Sequence, residues 1–146
     1  MVKIPTKILV VDDEKDFVEM LSLRLQEGGE KVECAYNGKE CLAVLEKNDI
    51  DVVLLDIKMP GMDGIETLKV IKKKFPITEV IMLTGHGTTE TAVEGMKLGA
   101  FDYLLKPSDF NELYQKLRAA RKRKDQHKER IRKAEEKLLL RKTGGY

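Results

Sequence analysis

Short apolar runs alternate along the chain with longer stretches in which apolar residues recur every three or four positions. The runs Lys7–Val11, Val52–Leu55 and 79–83 are almost continuously apolar, which is typical of strands buried on both faces of a parallel sheet. Residues 31–35 alternate polar and apolar side chains and predict a half-exposed edge strand. Residues 102–106 predict a fifth strand, which ends in Lys-Pro.

The stretches between these strands carry the apolar periodicity of amphipathic helices. Gly28-Gly29, Asn37-Gly38 and Pro76 mark their boundaries. Five strands that alternate with five helices predict right-handed crossovers and a doubly wound parallel sheet. The fourth helix, from about residue 88 to 98, has a thin stripe of Ala92, Val93 and Met96, so we expect a weakly anchored helix that can shift.

The 146 residues suffice for one domain with a substantial core. Residues 1–120 hold 16 basic and 21 acidic groups, whereas residues 121–146 hold 11 basic and 4 acidic groups. We therefore predict an acidic domain over 1–120 and a basic helical C-terminal extension over 121–146. No signal-peptide pattern or membrane-spanning apolar run is present in the sequence, and we expect a cytoplasmic protein without membrane contact. Both cysteines are expected to be reduced and packed.

Carboxylates follow two of the predicted strands. Asp12 and Asp13 come after the first strand, and Asp56 comes after the third. In open α/β sheets ligands bind at the carboxyl ends of the strands. Three carboxylates crowded there raise one another's pKa values. A hard divalent cation with oxygen ligands, Mg²⁺, would relieve that repulsion and still admit a phosphate.

These strand ends, taken together, resemble those of a known family. Asp12-Asp13, Asp56, Thr84 and Lys106 follow their strands in order, with Asp-Ile-Lys-Met-Pro-Gly from Asp56 and Tyr-Leu-Leu-Lys-Pro from Tyr103. Over about residues 7–120 this pattern resembles the receiver domain of two-component response regulators, in particular the receivers of NtrC-type transcription activators. The resemblance implies a flavodoxin-like, five-stranded parallel sheet of order 2-1-3-4-5 with five helices, the last one extended.

The resemblance also implies roles for the acidic residues. Asp56 would accept a phosphoryl group from a histidine kinase or a phosphotransfer protein. Asp13, Asp56 and the backbone carbonyl of Lys58 would hold Mg²⁺, and Asp12 would bond to the ion through water. By the same likeness the chain is a phosphoacceptor signalling domain that promotes its own phosphoryl transfer and dephosphorylation, rather than an enzyme.

Three further residues take roles from the same likeness. Lys106 would pair with the phosphoryl oxygens, and Thr84 would donate a hydrogen bond to them. Tyr103 would act as an aromatic switch that changes a protein-interaction surface, although the residue alone equally fits a core aromatic with an exposed hydroxyl. His86 follows Thr84 closely, and we expect it to be a solvent-exposed loop residue.

A second function remains open at this point. Phosphohydrolases of the haloacid dehalogenase type also form an aspartyl phosphate, but they need a second acid two residues after the nucleophile. Lys58 occupies that position here. The chain is otherwise expected to be either a stand-alone regulator or the receiver portion of a longer transcription regulator, which acts on a downstream protein partner.

The C-terminal extension continues a heptad pattern that begins in the fifth helix. The seam consists of Leu113, Leu117, Ala120, Lys124, His127, Ile131, Ala134 and Leu138. A helix from about residue 109 to 141 would be about 50 Å long. Three interpretations remain: a dimerising helix, a solvated amphipathic helix, or a contact to nucleic acid or an acidic partner. Because the basic run has no interleaved aromatic residues, it is poor evidence for sequence-specific DNA binding, and the pattern disfavours direct binding of nucleic acid.

Overall fold

The computed structural model describes residues 4–59, 61–85, 89–106 and 109–143. Within these ranges five strands and five helices alternate along the chain, as predicted. The strands are β1 (Lys7–Val11), β2 (Lys31–Ala35), β3 (Val52–Leu55), β4 (Glu79–Thr84) and β5 (Asp102–Leu105). The helices are α1 (Lys15–Glu27), α2 (Gly38–Lys47), α3 (Gly64–Lys74), α4 (Thr89–Lys97) and α5 (Phe110–Lys142).

The five strands form one parallel sheet in the order β2-β1-β3-β4-β5, which confirms the predicted topology. Side chains point alternately to the two faces of each strand. Leu9 and Val53 pack with residues of α2 and α3 on one face. Ile8 and Val52 pack with residues of α1 and α5 on the other. The continuously apolar strands are therefore buried on both sides, and β2 lies at an edge with alternating exposure.

The predicted apolar stripe of α4 is wrong in part. Ala92 is buried as expected, but Val93 and Met96 are 46% and 43% exposed. Gly95 lies against the sheet instead. Its contact is so close that a Cβ at this position would overlap the end of the Met82 side chain. The helix therefore approaches β4 closely through two small residues, and its larger apolar side chains remain open to solvent.

Helix α5 is continuous for 33 residues, or about 50 Å at 1.5 Å per residue. Asp109 caps it, because its side chain accepts a hydrogen bond from the Asn111 amide; Ser108 lies outside the described residues. The heptad seam divides into two parts. Leu113, Leu117, Ala120 and Lys124 are buried against the sheet, whereas Ile131 and Leu138 are exposed. Among the helices of the described ranges, none is long and apolar enough to cross a membrane.

The basic run that begins at Arg121 is largely paired with acids at the amino ends of the strands. Nζ of Lys124 lies 2.7 Å from Asp51 Oδ1, just before β3. Arg123 forms a bidentate ion pair with Glu79, the first residue of β4. A boundary at residue 120 remains a prediction, and these contacts continue four residues beyond it. This part of the extension packs on the domain.

Both cysteines are free thiols in this fold. Sγ of Cys34, on β2, lies 3.1 Å from Oγ of Ser22. Cys41 lies on the buried face of α2, where burial raises the pKa of its thiol to about 12. The Cys41 thiol therefore stays protonated near neutral pH and behaves as a small apolar side chain.

Candidate functional site

The site lies at the carboxyl edge of the sheet, where four neighbouring strands end side by side. Val11 at the end of β1 pairs with Leu55 at the end of β3. Because the residues after this pair emerge together, Asp12 and Asp56 become neighbours. The backbone of Asp56 continues the ladder, since its amide donates to the Val11 carbonyl at 3.0 Å. Parallel pairing thus brings together acids that are 44 positions apart in the sequence.

Three carboxylates meet at this edge. One oxygen from each of Asp12, Asp13 and Asp56 lies within 4.8 Å of the others. Asp12 and Asp56 are almost completely buried, whereas Asp13 is exposed. Oδ1 of Asp12 also accepts a hydrogen bond from the Glu14 amide at 3.0 Å, which fixes the loop after β1. The structure thus brings together the three acids that the sequence selected.

One carboxylate oxygen of Asp56 is unsatisfied within the described residues. Burial raises the pKa of its carboxyl, and the charge of Asp12 raises it further. Hydrogen bonds from the Thr84 hydroxyl and the Lys58 amide, with the charge of Lys106, act in the opposite direction. Oδ1 of Asp56 is buried and has no hydrogen-bond partner among the described residues. A buried acceptor without a partner is costly, and it marks a place for a ligand.

Lys106 reaches the acids from the end of β5. It follows β5, where Leu105 pairs with Thr84 of β4, and its amide donates to the Thr84 carbonyl at 2.9 Å. Its ammonium forms an ion pair with Asp12 and lies 3.6 Å from Oε1 of Glu14. The predicted cation is therefore at the site, and in this structure it is paired with Asp12.

Close packing behind Asp56 depends on Gly64, the first residue of α3. A Cβ at this position would lie 2.6 Å from Cα of Ile57 and closer still to the Asp56 carbonyl oxygen. The Gly64 amide donates to the Ile57 carbonyl at 2.7 Å, so the start of α3 rests directly on the loop that carries Asp56. Only glycine permits this approach.

The acid cluster fits a hard divalent cation. The donors are carboxylate oxygens, which Mg²⁺ prefers, and Asp56 of this cluster also carries a buried oxygen without a partner among the described residues. The exposed Asp13 leaves one side open, as an ion that keeps several waters requires. Asp12, Asp13 and Asp56 therefore form a candidate magnesium site.

Tyr103 lies apart from the acids, on the same face of the sheet as α4. It pairs with Met82 across β4 and β5 and is half-buried. With Val93 and Met96 of α4 it lines an open groove of about 470 Å³. Its aromatic ring therefore faces the helix with the fewest buried residues, next to the strand that carries Thr84. His86 lies outside the described residues.

Three residues around the site were not selected from the sequence. Gly64 was not selected, although the glycine-rich turn after Asp56 is a signal for close backbone approach. Phe17 was not selected either; the structure packs it against the core and places its ring centroid 4.1 Å from Nζ of Lys106. Glu14 was not selected, and it contacts Lys106 rather than joining the carboxylate cluster.

The fold and the site together define the class of protein. A doubly wound sheet of order 2-1-3-4-5, with acids after β1 and β3 and a lysine after β5, is a flavodoxin-like α/β domain with a phosphate-compatible acidic site. The family model for the response regulator receiver domain matches residues 8–118. The chain belongs to this family and is a receiver domain of two-component response regulators, a class of phosphoacceptor signalling domains.

The curated proteins that this chain resembles include regulators of the NtrC type. The chain is 45% identical over 107 residues to the regulatory protein AtoC of Escherichia coli, and these residues are 73% of this chain and 23% of that protein. It is 42% identical over 120 residues to the transcriptional regulatory protein ZraR of Salmonella typhimurium, covering 82% of this chain and 27% of that protein. The chain therefore spans about a quarter of the length of these curated relatives.

Solved structures agree with this assignment. A CheY-like receiver domain protein from Methanospirillum hungatei has a TM-score of 0.81 at 31% identity, covering 85% of this chain and 99% of that one. A receiver domain protein from Clostridium thermocellum has a TM-score of 0.78 at 40% identity, covering 82% and 97% respectively. The haloacid dehalogenase alternative is not supported by these matches.

Proposed function

We propose that Asp56 is the residue that accepts the phosphoryl group in this receiver. The observation that carries the proposal is the buried Oδ1 of Asp56, which has no partner among the described residues, on a side chain that belongs to the carboxylate cluster. Lys106 and the Thr84 hydroxyl act on the same carboxylate. A nucleophilic oxygen, a charge-neutralising group and a hydroxyl donor are thus present in one site.

The proposed reaction is a phosphoryl transfer from a phosphohistidine of a sensor kinase or a phosphotransfer protein. The bond from phosphorus to the donor nitrogen breaks, and a bond from phosphorus to an Asp56 carboxylate oxygen forms. Asp12, Asp13, Asp56 and the Lys58 carbonyl would hold Mg²⁺, which supplies charge neutralisation on the phosphoryl oxygens. The same residues would serve the later hydrolysis of the acyl phosphate, so the domain would promote both gain and loss of its phosphoryl group.

The proposed signal passes from Thr84 to Tyr103. The Thr84 hydroxyl already donates to the Asp56 carboxylate, so it is placed to follow new acceptor oxygens on a phosphorylated Asp56. Tyr103 lines the groove against α4, and α4 is anchored by only two buried residues. A small movement of Thr84 would therefore change how Tyr103 packs and remodel the surface that α4, β5 and α5 form.

The partners follow from this scheme. The proposal includes a sensor histidine kinase or phosphotransfer protein as phosphodonor, a downstream protein that recognises the α4–β5–α5 surface, and a cytoplasmic location. Because AtoC and ZraR are named as regulatory proteins and are about four times as long as the matched segment, we also propose that this receiver acts within a transcription regulator.

The projecting part of α5 is proposed to pair with a second copy. Ile131 and Leu138 are exposed on the seam beyond the sheet. In a parallel pair Arg130 would face Glu135 of the partner subunit, an attractive contact. Light scattering should show the native chain as a dimer. Because the seam is short, the variant Ile131→Glu with Leu138→Glu should be a monomer. Leu140→Glu is the matched control, because Leu140 is similarly exposed but lies off the seam.

Labelling with acetyl phosphate tests the phosphoacceptor. With Mg²⁺ present, intact-mass spectrometry should show the gain of one phosphoryl group in the native chain and none in Asp56→Asn. The control is Asp16→Asn, which removes an exposed carboxylate from the first turn of α1 and should label like the native chain. Equal labelling of Asp56→Asn would overturn the assignment.

A further inference from the structure

An aromatic ring lies against the ammonium of Lys106. Nζ of Lys106 lies 4.1 Å from the centroid of the Phe17 ring, and the Lys106 side chain is only 14% exposed. The contact is a cation–π interaction, because the face of the ring carries the negative part of its quadrupole. Asp12 and Glu14 contact the same ammonium.

The position of Phe17 in the chain makes this contact a local feature of the acid loop. Asp12 and Asp13 follow β1 directly, and Phe17 lies in the first turn of α1, four residues after Asp13. The Phe17 side chain is half-buried and packs against the core residues that α1 and α5 cover. With Leu83 and Phe110 it lines a small cavity of about 110 Å³ beside Lys106. One short segment therefore supplies both the carboxylate and the aromatic face that hold the cation.

A lysine at such a site has a positioning problem. Its ammonium is a point charge on a flexible stem, and side-chain entropy opposes any single placement. A ring that covers one side of the cation restricts its movement without adding a competing negative charge, which a further carboxylate would do. The ammonium is then held beside Asp56, on whose carboxylate its charge acts.

We propose that Phe17 is a positioning residue that holds the Lys106 ammonium against the acid cluster through its ring face. The role rests on the proposed function, because Lys106 must neutralise charge on a phosphoryl group at Asp56 for its placement to matter. Phe17 acts on the lysine and touches none of the three carboxylates in the contacts described. Its loss should therefore weaken binding of a phosphoryl group and leave binding of the metal unchanged.

The first measurement tests the contact itself and needs no phosphoryl chemistry. The ring current of Phe17 should shift the Lys106 ε-proton resonances upfield in an NMR spectrum of the native chain, with Lys106→Arg used for assignment. Phe17→Leu should remove the shift, and Phe17→Tyr, which keeps the ring, should retain it. A native chain without the upfield shift would overturn the proposal, whether or not the chain takes a phosphoryl group.

The second measurement tests the role, using beryllofluoride as a phosphoryl mimic at saturating Mg²⁺. Phe17→Leu should weaken beryllofluoride affinity roughly three- to tenfold, with Mg²⁺ affinity unchanged, and Phe17→Tyr should restore it. In a Lys106→Met background Phe17→Leu should have no further effect. Additive losses, or an equal loss of Mg²⁺ affinity, would overturn the positioning role. If the native chain shows the ring-current shift but binds no beryllofluoride, the proposed function fails and the positioning role fails with it.

Discussion

The buried ammonium of Lys124 lies 2.7 Å from Oδ1 of Asp51, so the middle of α5 is joined to the residue before β3 by an ion pair shielded from water. Asp51 is held from a second side, because its Oδ2 accepts the Lys7 amide at 2.8 Å. Nζ of Lys124 also lies 3.3 Å from Oδ1 of Asp49. Desolvation alone would raise the pKa of the Asp49 carboxyl, but the charges of Lys124 and other nearby lysines outweigh it and lower that pKa. Residue 124 is therefore a fixed point from which the rest of the helix projects.

Lys124→Met should destabilise the domain. The substitution keeps the length of the side chain but leaves the Asp51 carboxylate with a weaker partner, Arg121 at 3.7 Å. We expect the free energy of unfolding to fall by about 2–3 kcal/mol in urea titrations. Lys122→Met, at an exposed position of the same basic run, should change it by less than about 0.5 kcal/mol. Equal effects of the two variants would show that the ion pair contributes nothing.

Asp56→Asn should stabilise the metal-free protein in a pH-dependent way. The pKa of Asp56 is raised in the folded state, chiefly by burial, so ionisation of this carboxyl opposes folding. Below the ordinary pKa of 3.8 the group is protonated in both states and the variant gains nothing. The gain should appear as the pH rises above that value and level off above the raised folded pKa, at on the order of 1 kcal/mol.

Urea titrations in EDTA would measure this difference. They should run from about pH 3 to about pH 8, because this range spans the titration of carboxyl groups. Added Mg²⁺ supplies the internal control, because it should stabilise the native chain and have less effect on Asp56→Asn. A stability difference that is constant over the whole pH range would contradict the assignment of the penalty to the buried charge.

Gly64→Ala should damage both stability and the metal site. The added methyl group would overlap the backbone at Asp56 and Ile57, and backbone cannot move aside as a side-chain end can. We expect a loss of about 2–3 kcal/mol and weaker Mg²⁺ binding by calorimetry. Gly61→Ala is the matched control: its φ of 77° disfavours alanine, but the space around it is open, so the loss should be about 1 kcal/mol.

Removal of the projecting helix should leave the domain intact. Residues 130–143 are exposed, and their described ion pairs are formed within α5 itself. A chain that ends at Glu129 should lose helical signal in circular dichroism. Its free energy of unfolding should stay within about 0.5 kcal/mol of that of the full-length variant Ile131→Glu with Leu138→Glu, in which the proposed pairing is absent. A larger loss would show that the projecting residues stabilise the domain through contacts within the same chain.

The fold was predictable because its signals are local and repeated. Continuous apolar runs require burial on both faces, and the intervening periodicity of 3.6 residues covers those faces with helices. The boundaries of β1 and β2 agree with the prediction to the residue. The α4 stripe was wrong because apolar character alone does not show how closely a helix approaches. Gly95 allows α4 to rest on Met82, and that approach leaves Val93 and Met96 outside.

The acids of the site were also predictable, because each follows a recognisable strand and parallel strands end at one edge. The heptad pattern was also visible in the sequence. Which of its residues pack against the domain and which project from it could not be predicted. Lys124 at a seam position indicated only a weakened coiled coil, whereas the structure buries it against Asp51. Sequence spacing along one helix says nothing of an acid 73 positions away.

By itself the sequence determined the alternation of elements, the order of the strands through family resemblance, and the strand-end residues that carry chemistry, since these depend on neighbouring positions in the chain. Only the tertiary structure decided which charges are paired, which oxygen of Asp56 lacks a partner among the described residues, and that Phe17 faces Lys106. Such relationships depend on distances between elements that are far apart in sequence, and those distances are set by packing.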